Sequence, residues 1–93
     1  MREDNFLWLQ SWFQDHCNGD WEHGSGILIR TLDNPGWSVT INLEDTELEE
    51  SNFQEIKIER SDNDWLICFI KNGKFEGRCG LTNFPEIFDI FRK

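Results

Sequence analysis

The sequence predicts an α+β fold: an N-terminal helix, an antiparallel sheet of about five strands, and a C-terminal helix packed on that sheet. Three observations predict it. Both ends of the chain carry apolar residues at helical spacing. The middle alternates apolar and polar residues between turn signals. The 93 residues hold no linker, repeat or low-complexity tract. One domain over residues 1–93 is expected, because a chain of this length has no room for a second core.

The first helix reads "DNFLWLQSWFQDHC", with Asp4 or Asn5 as the N-cap. Phe6, Leu9, Phe13 and Cys17 share one face, which Trp8 and Trp12 widen, and Asn18-Gly19 stops the helix. "GILIRTL" is the first strand. "DNPGW" then turns the chain, with Pro35 expected at the first central position and Gly36 at the second with a positive φ. "WSVTINL" alternates cleanly, Trp37, Val39, Ile41 and Leu43 pointing inward. After the acidic connection "EDTELEESNF" comes a third strand, "QEIKIER", with Ile56 and Ile58 inward. "DWLICFIK" is apolar on both faces and is expected near the sheet centre, with a layer on each side or a helix over one face. Asn72-Gly73 is a hairpin signal leading into "KFEGRC". In "TNFPEIFDIFRK", Asn83 and Glu86 have capping-box spacing, Pro85 sits in the first turn, and Phe84, Ile87, Phe88 and Phe91 form a core-facing stripe.

Composition narrows the function. Nine basic residues against 18 acidic ones give a net charge of −9, which repels nucleic acids and anionic membranes and attracts basic protein surfaces. No apolar stretch approaches the roughly 20 residues that span a bilayer, and the opening "MREDNFLWLQ" lacks the pattern of a secretory signal. Three cysteines without regular spacing suit free thiols in a reducing compartment, so a cytoplasmic protein is expected. Five Trp and eight Phe can fill much of a small core.

The stretch "CNGDWEHGSGILIRTLDNPGW" holds the residues that invite a chemical reading. His16, Cys17, Asp20, Glu22 and His23 are metal-ligand types, but no paired C-x₂-C, H-x₃-H or H-E-x-x-H spacing is present. Consecutive helical residues such as His16 and Cys17 point about 100° apart. A Cys17–His23 nucleophile pair would need an activated thiolate, which a helix C-terminus disfavours. The bland alternative makes Cys17 a small core residue and His23 a hydrogen-bonding loop residue. "HGSGI" has His23 and Ile27 where a nucleophile elbow has its two glycines, and a strand rather than a helix follows it, unlike a phosphate loop. The acidic run Glu44, Asp45, Glu47, Glu49 and Glu50 lacks the glycine and spacing of a calcium loop. It reads either as a solvated loop or as a docking surface for a basic partner.

The run "LQSWFQDHCNGDWEHGSGILIRTLDNPGWSVTINLEDTELEE", with "DWLICFIKNGKFEG" and the final "EIFDIF", resembles the bacterial immunity protein 53 family over nearly the whole chain. The most specific segments are "GDWEH", "TLDNPGW" and the "DW" before the apolar strand. The resemblance implies an antidote encoded beside a polymorphic toxin, one that binds its own cognate toxin and blocks it without catalysis. Many such toxins are nucleases, and acidic immunity proteins often cover a basic nucleic-acid-binding surface. No catalytic residue is carried over, and no cofactor or metal is implied. The expected partner-binding residues are Asp20, Glu22, His23, Glu44, Asp45, Glu47, Glu49 and Glu50. The expected structural residues are Trp21, Asp33, Asn34, Pro35, Gly36, Trp37 and Trp65. The rival readings are a small metal-dependent or Cys/His enzyme centred on Cys17 and His23, and a stand-alone scaffold or regulatory module.

Overall fold

The computed structural model describes residues 5–24, 26–49 and 51–92. Helix α1 (Asn5–His16) leads through a one-turn 3-10 helix (Trp21–His23) into β1 (Ile27–Leu32) and β2 (Gly36–Asn42). Strands β3 (Ile56–Ser61), β4 (Asp64–Lys71) and β5 (Lys74–Cys79) follow, and α2 (Phe84–Phe91) closes the chain. The five strands form one antiparallel sheet in the order β1-β2-β5-β4-β3, an α+β arrangement as the sequence predicts.

Register assigns every strand residue to a face. Ile27, Ile29 and Thr31 pair with Ile41, Val39 and Trp37, and these in turn pair with Phe75, Gly77 and Cys79. Leu66, Cys68 and Ile70 join the same face across β4, and Ile56 and Ile58 across β3. Both helices cover this face. Phe84 of α2 meets Trp37 with ring centroids 4.7 Å apart, and Phe91 meets Phe75 at 5.0 Å. Helix α1 reaches the assembly through Trp12, which meets the Phe91 ring edge-on at 5.2 Å. Val39, Ile41, Leu43, Leu66, Cys68, Phe75, Cys79, Ile87 and Phe88 are sealed from solvent. Gly77 lets α2 approach the central strand: the position of an added Cβ lies 2.7 Å from the Ile87 Cγ2.

Strand β4 lies beside the central strand β5, with helices over one of its two faces, as its apolar run predicts. On its other face Phe69 lies under the Arg78 guanidinium, 5.3 Å from the ring centre. Two expectations are corrected. On α1 the buried residues are Leu9 and Trp12, whereas Phe6 is 59% exposed and Cys17 lies exposed beyond the helix end. The large Trp12 indole fixes that rotation by packing against both Phe91 and Trp21. Finally, Asp33, Asn34 and Pro35 alone make the β1–β2 turn, with a cis bond at Asn34-Pro35. Gly36 already pairs with Leu32 and has no positive φ; what requires glycine is the Cys79 carbonyl oxygen, which an added Cβ would strike.

The cap expectation on α2 changes, and that on α1 falls partly outside the described residues. Asp4 lies outside the described residues, and the Asn5 side chain reaches α2 instead, donating to Pro85 O at 3.3 Å and accepting from Arg92 at 2.8 Å. The Asn83 side chain makes no cap hydrogen bond to the helix backbone; it donates to Asp64 Oδ1 and Glu86 Oε1 at 2.7 and 2.8 Å. The Asn72-Gly73 hairpin forms as read, with φ of 54° and 74°.

Candidate functional site

The two segments that the sequence nominates for partner binding come together at one end of the sheet. His16, the last residue of α1, joins them. Its ring lies 5.8 Å from the Trp21 ring, and its Nε2 is 2.7 Å from Glu47 Oε2. Nδ1 faces the Trp12 carbonyl oxygen at 2.7 Å. Both ring nitrogens thus face acceptors, which suits the doubly protonated imidazolium. Burial alone would lower the His16 pKa, but the hydrogen bonds to Glu47 and to the Trp12 carbonyl outweigh it and hold the ring above its ordinary value. The same bond holds the Glu47 carboxyl below its ordinary range.

The 18–24 segment is built by its own polar groups. Asn18 Oδ1 accepts from the amides of Asp20 and Trp21 at 3.0 and 2.9 Å, an Asx-type turn into the 3-10 helix. Gly19 stands at φ 91°, and both Glu22 carboxylate oxygens accept backbone amides, from Asn18 and Gly19, at 2.9 Å each. Backbone donors, the residue's own first, hold the Glu22 carboxyl below its usual range. Trp21 is 5% exposed, between Trp12 and Phe13, and its indole N–H has no partner among the described residues. Asp20 and His23 are exposed.

The acidic connection is a chain of turns, not an irregular loop. Amides of Thr46, Glu49 and Ser51 donate to the carbonyls of Leu43, Thr46 and Leu48. The Thr46 hydroxyl donates to Leu43 O at 2.7 Å, and Glu49 Oε1 accepts from the Asp45 amide at 3.1 Å. Leu48 and Phe53 turn inward and line a small cavity of about 40 Å³ with Phe75 and Phe91. Glu44 sits over the β4–β5 turn, where the Leu43 amide donates to Gly73 O at 2.8 Å. Glu44, Asp45, Glu47 and Glu49 are exposed; Glu50 lies outside the described residues.

The residues nominated as structural divide between the two ends. Trp21 stands at the acidic end. Asp33, Asn34, Pro35, Gly36, Trp37 and Trp65 stand at the other, where Trp37 Nε1 donates to Leu81 O at 3.2 Å and the Trp65 carbonyl accepts from Gly80 at 3.0 Å. Sequence reasoning missed the polar network at that end. Arg60 makes a bidentate pair with Glu86 at 3.0 and 2.9 Å and also reaches Asp64 at 2.8 Å, around the buried Asn83. Only the Asn83–Glu86 spacing pointed to it, and that spacing suggested a different bond.

All three thiols are held above the ordinary cysteine pKa. Desolvation first, and the Glu22 charge second, hold Cys17 above its ordinary pKa. Burial pushes Cys68 to about 12 and Cys79 to about 11. No group of three or more His, Cys, Asp or Glu side chains is arranged to hold a metal ion among the described residues, and no described helix is long and apolar enough to cross a membrane. The acidic end thus presents exposed carboxylates above an aromatic base of Trp12, Trp21 and Phe91. No curated protein and no solved structure matches the chain. Residues 6–93 match the family model of immunity protein 53, and the chain belongs to that family.

Proposed function

We propose that this protein binds a cognate bacterial polymorphic toxin in the cytoplasm and neutralises it by occluding its active or substrate-binding surface, without catalysis of its own. The observation that carries this reading is the family match over residues 6–93. The charge supports it further. At −9 the chain disfavours nucleic acid and anionic membrane as partners and favours a basic protein, and a basic nuclease has that chemistry. The proposed contact surface is the acidic end, with Asp20, Glu22, His23, Glu44, Asp45, Glu47, Glu49 and Glu50. Trp21, Asp33, Asn34, Pro35, Gly36, Trp37 and Trp65 are its proposed framework.

Co-expression tests the proposal. Cells producing the toxin encoded beside this gene should survive only when this protein is present, and the two chains should co-purify as a complex. Survival without complex formation would point to an activity acting on the toxin's substrate or product. Loss of protection in Cys17→Ser with folding intact would revive the Cys17–His23 enzyme.

A further inference from the structure

Helices cover one of the two apolar faces of β4 and leave the other open. On the open face Trp65, Ile67 and Phe69 follow one another along the strand, half-buried and outside the core. Leu28, 50% exposed, stands on the same face at the end of the cross-strand row Phe69, Glu76, Thr40, Leu28. An open groove of about 320 Å³ runs along the β3 side, bordered by Lys57, Trp65 and Ile67. The open face of an antiparallel sheet ordinarily turns polar side chains to water, so large apolar ones gathered there mark a contact surface.

The charges on that face say what it contacts. Register lines up Lys57, Ile67, Arg78, Ser38 and Arg30 across the five strands, and it sets Lys71 directly opposite Lys74. The two carboxylates of the face are already engaged: Glu59 pairs with Lys57 at 3.5 Å, and Glu76 accepts from the Thr40 hydroxyl at 2.8 Å and lies 3.8 Å from Arg78. Arg30, Lys71 and Lys74 make no ion pair or side-chain hydrogen bond among the described residues, in a chain with 18 acidic residues against nine basic ones. Like charges directly opposite each other cost stability, so the fold itself gains nothing from the Lys71–Lys74 pair. An anion seated over both would offset that cost.

We infer that the uncovered sheet face docks an acidic amphipathic segment of a protein partner, with apolar side chains on Ile67 and Phe69 and carboxylates on Arg30, Lys71 and Lys74. Successive rows on one face of a sheet are about 7 Å apart, so a segment that alternates the two kinds of side chain over that distance meets both. Charge complementarity selects this occupant. A nucleic acid also brings anions, but it continues past the face to the β4–β5 turn, where Glu44 lies beside Gly73, and meets a chain of −9. An anionic membrane meets the same repulsion. A short segment ends within the basic face. The inference stands on that face alone, whichever partner the acidic end takes.

Amide NMR titration tests it with a blocked peptide of about 14 residues, Leu and Phe at i, i+3, i+4 and i+7 and Glu between them, beside the same peptide with Gln in place of Glu. The Glu peptide should bind with a Kd below about 1 mM and shift the amides of Ile67, Phe69 and Arg78 and the Trp65 indole, while α1 and α2 stay unmoved. The Gln peptide should bind at least about tenfold more weakly at low salt. The joint variant Arg30→Gln, Lys71→Gln, Lys74→Gln should bind the Glu peptide about tenfold more weakly, yet melt no lower than the parent because it removes the opposed lysines. Replacing Asp20, Glu44 and Asp45 with Asn, Gln and Asn should leave the peptide's affinity unchanged or raise it. No binding at 1 mM, equal binding of the two peptides, or shifts confined to α1 and the 44–49 turns overturns the inference. So does oligothymidylate or a phosphatidylglycerol vesicle that binds more tightly than the Glu peptide and is lost in the same variant, since that would give the face to a nucleic acid or a membrane.

Discussion

On the observed backbone, any side chain at Gly36 would drive its Cβ into the Cys79 carbonyl oxygen. This differs from the turn glycine that "DNPG" suggests, and the difference is measurable. Were the need a positive φ, Asn would be the mildest replacement. Because the need is space between neighbouring backbones, Gly36→Asn and Gly36→Ala should both destabilise by about 1–3 kcal/mol, read from urea melts. A stable Gly36→Asn variant would restore the turn explanation. His16 offers a second test on this scale. Burial lowers its pKa and the Glu47 and Trp12 hydrogen bonds raise it, with a net upward shift from 6.5. A raised folded-state pKa contributes stability that is fully present below the ordinary imidazole range and is lost as pH rises through the folded value. Glu47→Gln should therefore lower the His16 pKa, followed by NMR titration of the ring protons. An unchanged titration would mean that the contact does not hold the 44–49 segment against α1.

Elements were legible where local pattern decides them. Helix α2 keeps its stripe, with Ile87, Phe88 and Phe91 buried, and the Asn72-Gly73 turn and the β2 alternation hold. Sheet order was not legible, because pairing β2 with β5 depends on contacts between residues about 40 positions apart, such as Val39 and Gly77. The apolar run of β4 did place it beside the central strand, with Arg78 over Phe69 on the face that the helices leave open. The polar junction at the start of α2 was hidden for a similar reason: Arg60, Asp64, Asn83 and Glu86 come from three elements and meet only in the fold. That junction ties the β3–β4 hairpin to α2. Asn83→Ala would leave the Trp65 amide without its acceptor and would take from the Asp64 and Glu86 carboxylates the donor they have besides Arg60, and should cost about 1–3 kcal/mol at pH 7. Hydrogen bonds from Asn83 and then Arg60 lower the Asp64 pKa, and from Arg60 and then Asn83 that of Glu86. Depressed carboxyl pKa values contribute stability that is present above the ordinary carboxylate range and is lost as pH falls through the folded values. The penalty of Arg60→Met should accordingly shrink on acidification below pH ~4, as seen in denaturant melts across pH. A penalty constant with pH would assign it to lost packing of the Arg60 stem.

On the scale of the whole molecule, charge is unevenly placed. The uncovered sheet face carries Arg30, Lys57, Lys71, Lys74 and Arg78 against Glu59 and Glu76, so the net charge of −9 is concentrated elsewhere, much of it around the 3-10 turn and the 44–49 turns. The acids there differ in how they are engaged. Glu22, Glu47 and Glu49 accept hydrogen bonds from the fold itself. Asp20, Glu44 and Asp45 are exposed and make no side-chain hydrogen bond or ion pair among the described residues. Docking of the proposed basic partner would relieve their mutual repulsion, and exposed charges of this kind act on association rate more than on dissociation. Replacing Asp20, Glu44 and Asp45 with Asn, Gln and Asn should therefore leave the melting temperature within a few degrees and slow toxin association roughly tenfold at low salt. The difference should vanish near ~0.5 M salt, where the screening length falls to a few ångströms. Glu22→Gln should behave oppositely: its turn loosens, thermal stability falls, and the association rate at low salt changes less than with the triple variant. Stopped-flow association against the toxin, run beside melts of the same variants, separates the two classes. Equal rates for the triple variant and the parent at every salt concentration would show that these acids only solvate the fold, and would move the docking surface to the uncovered sheet face.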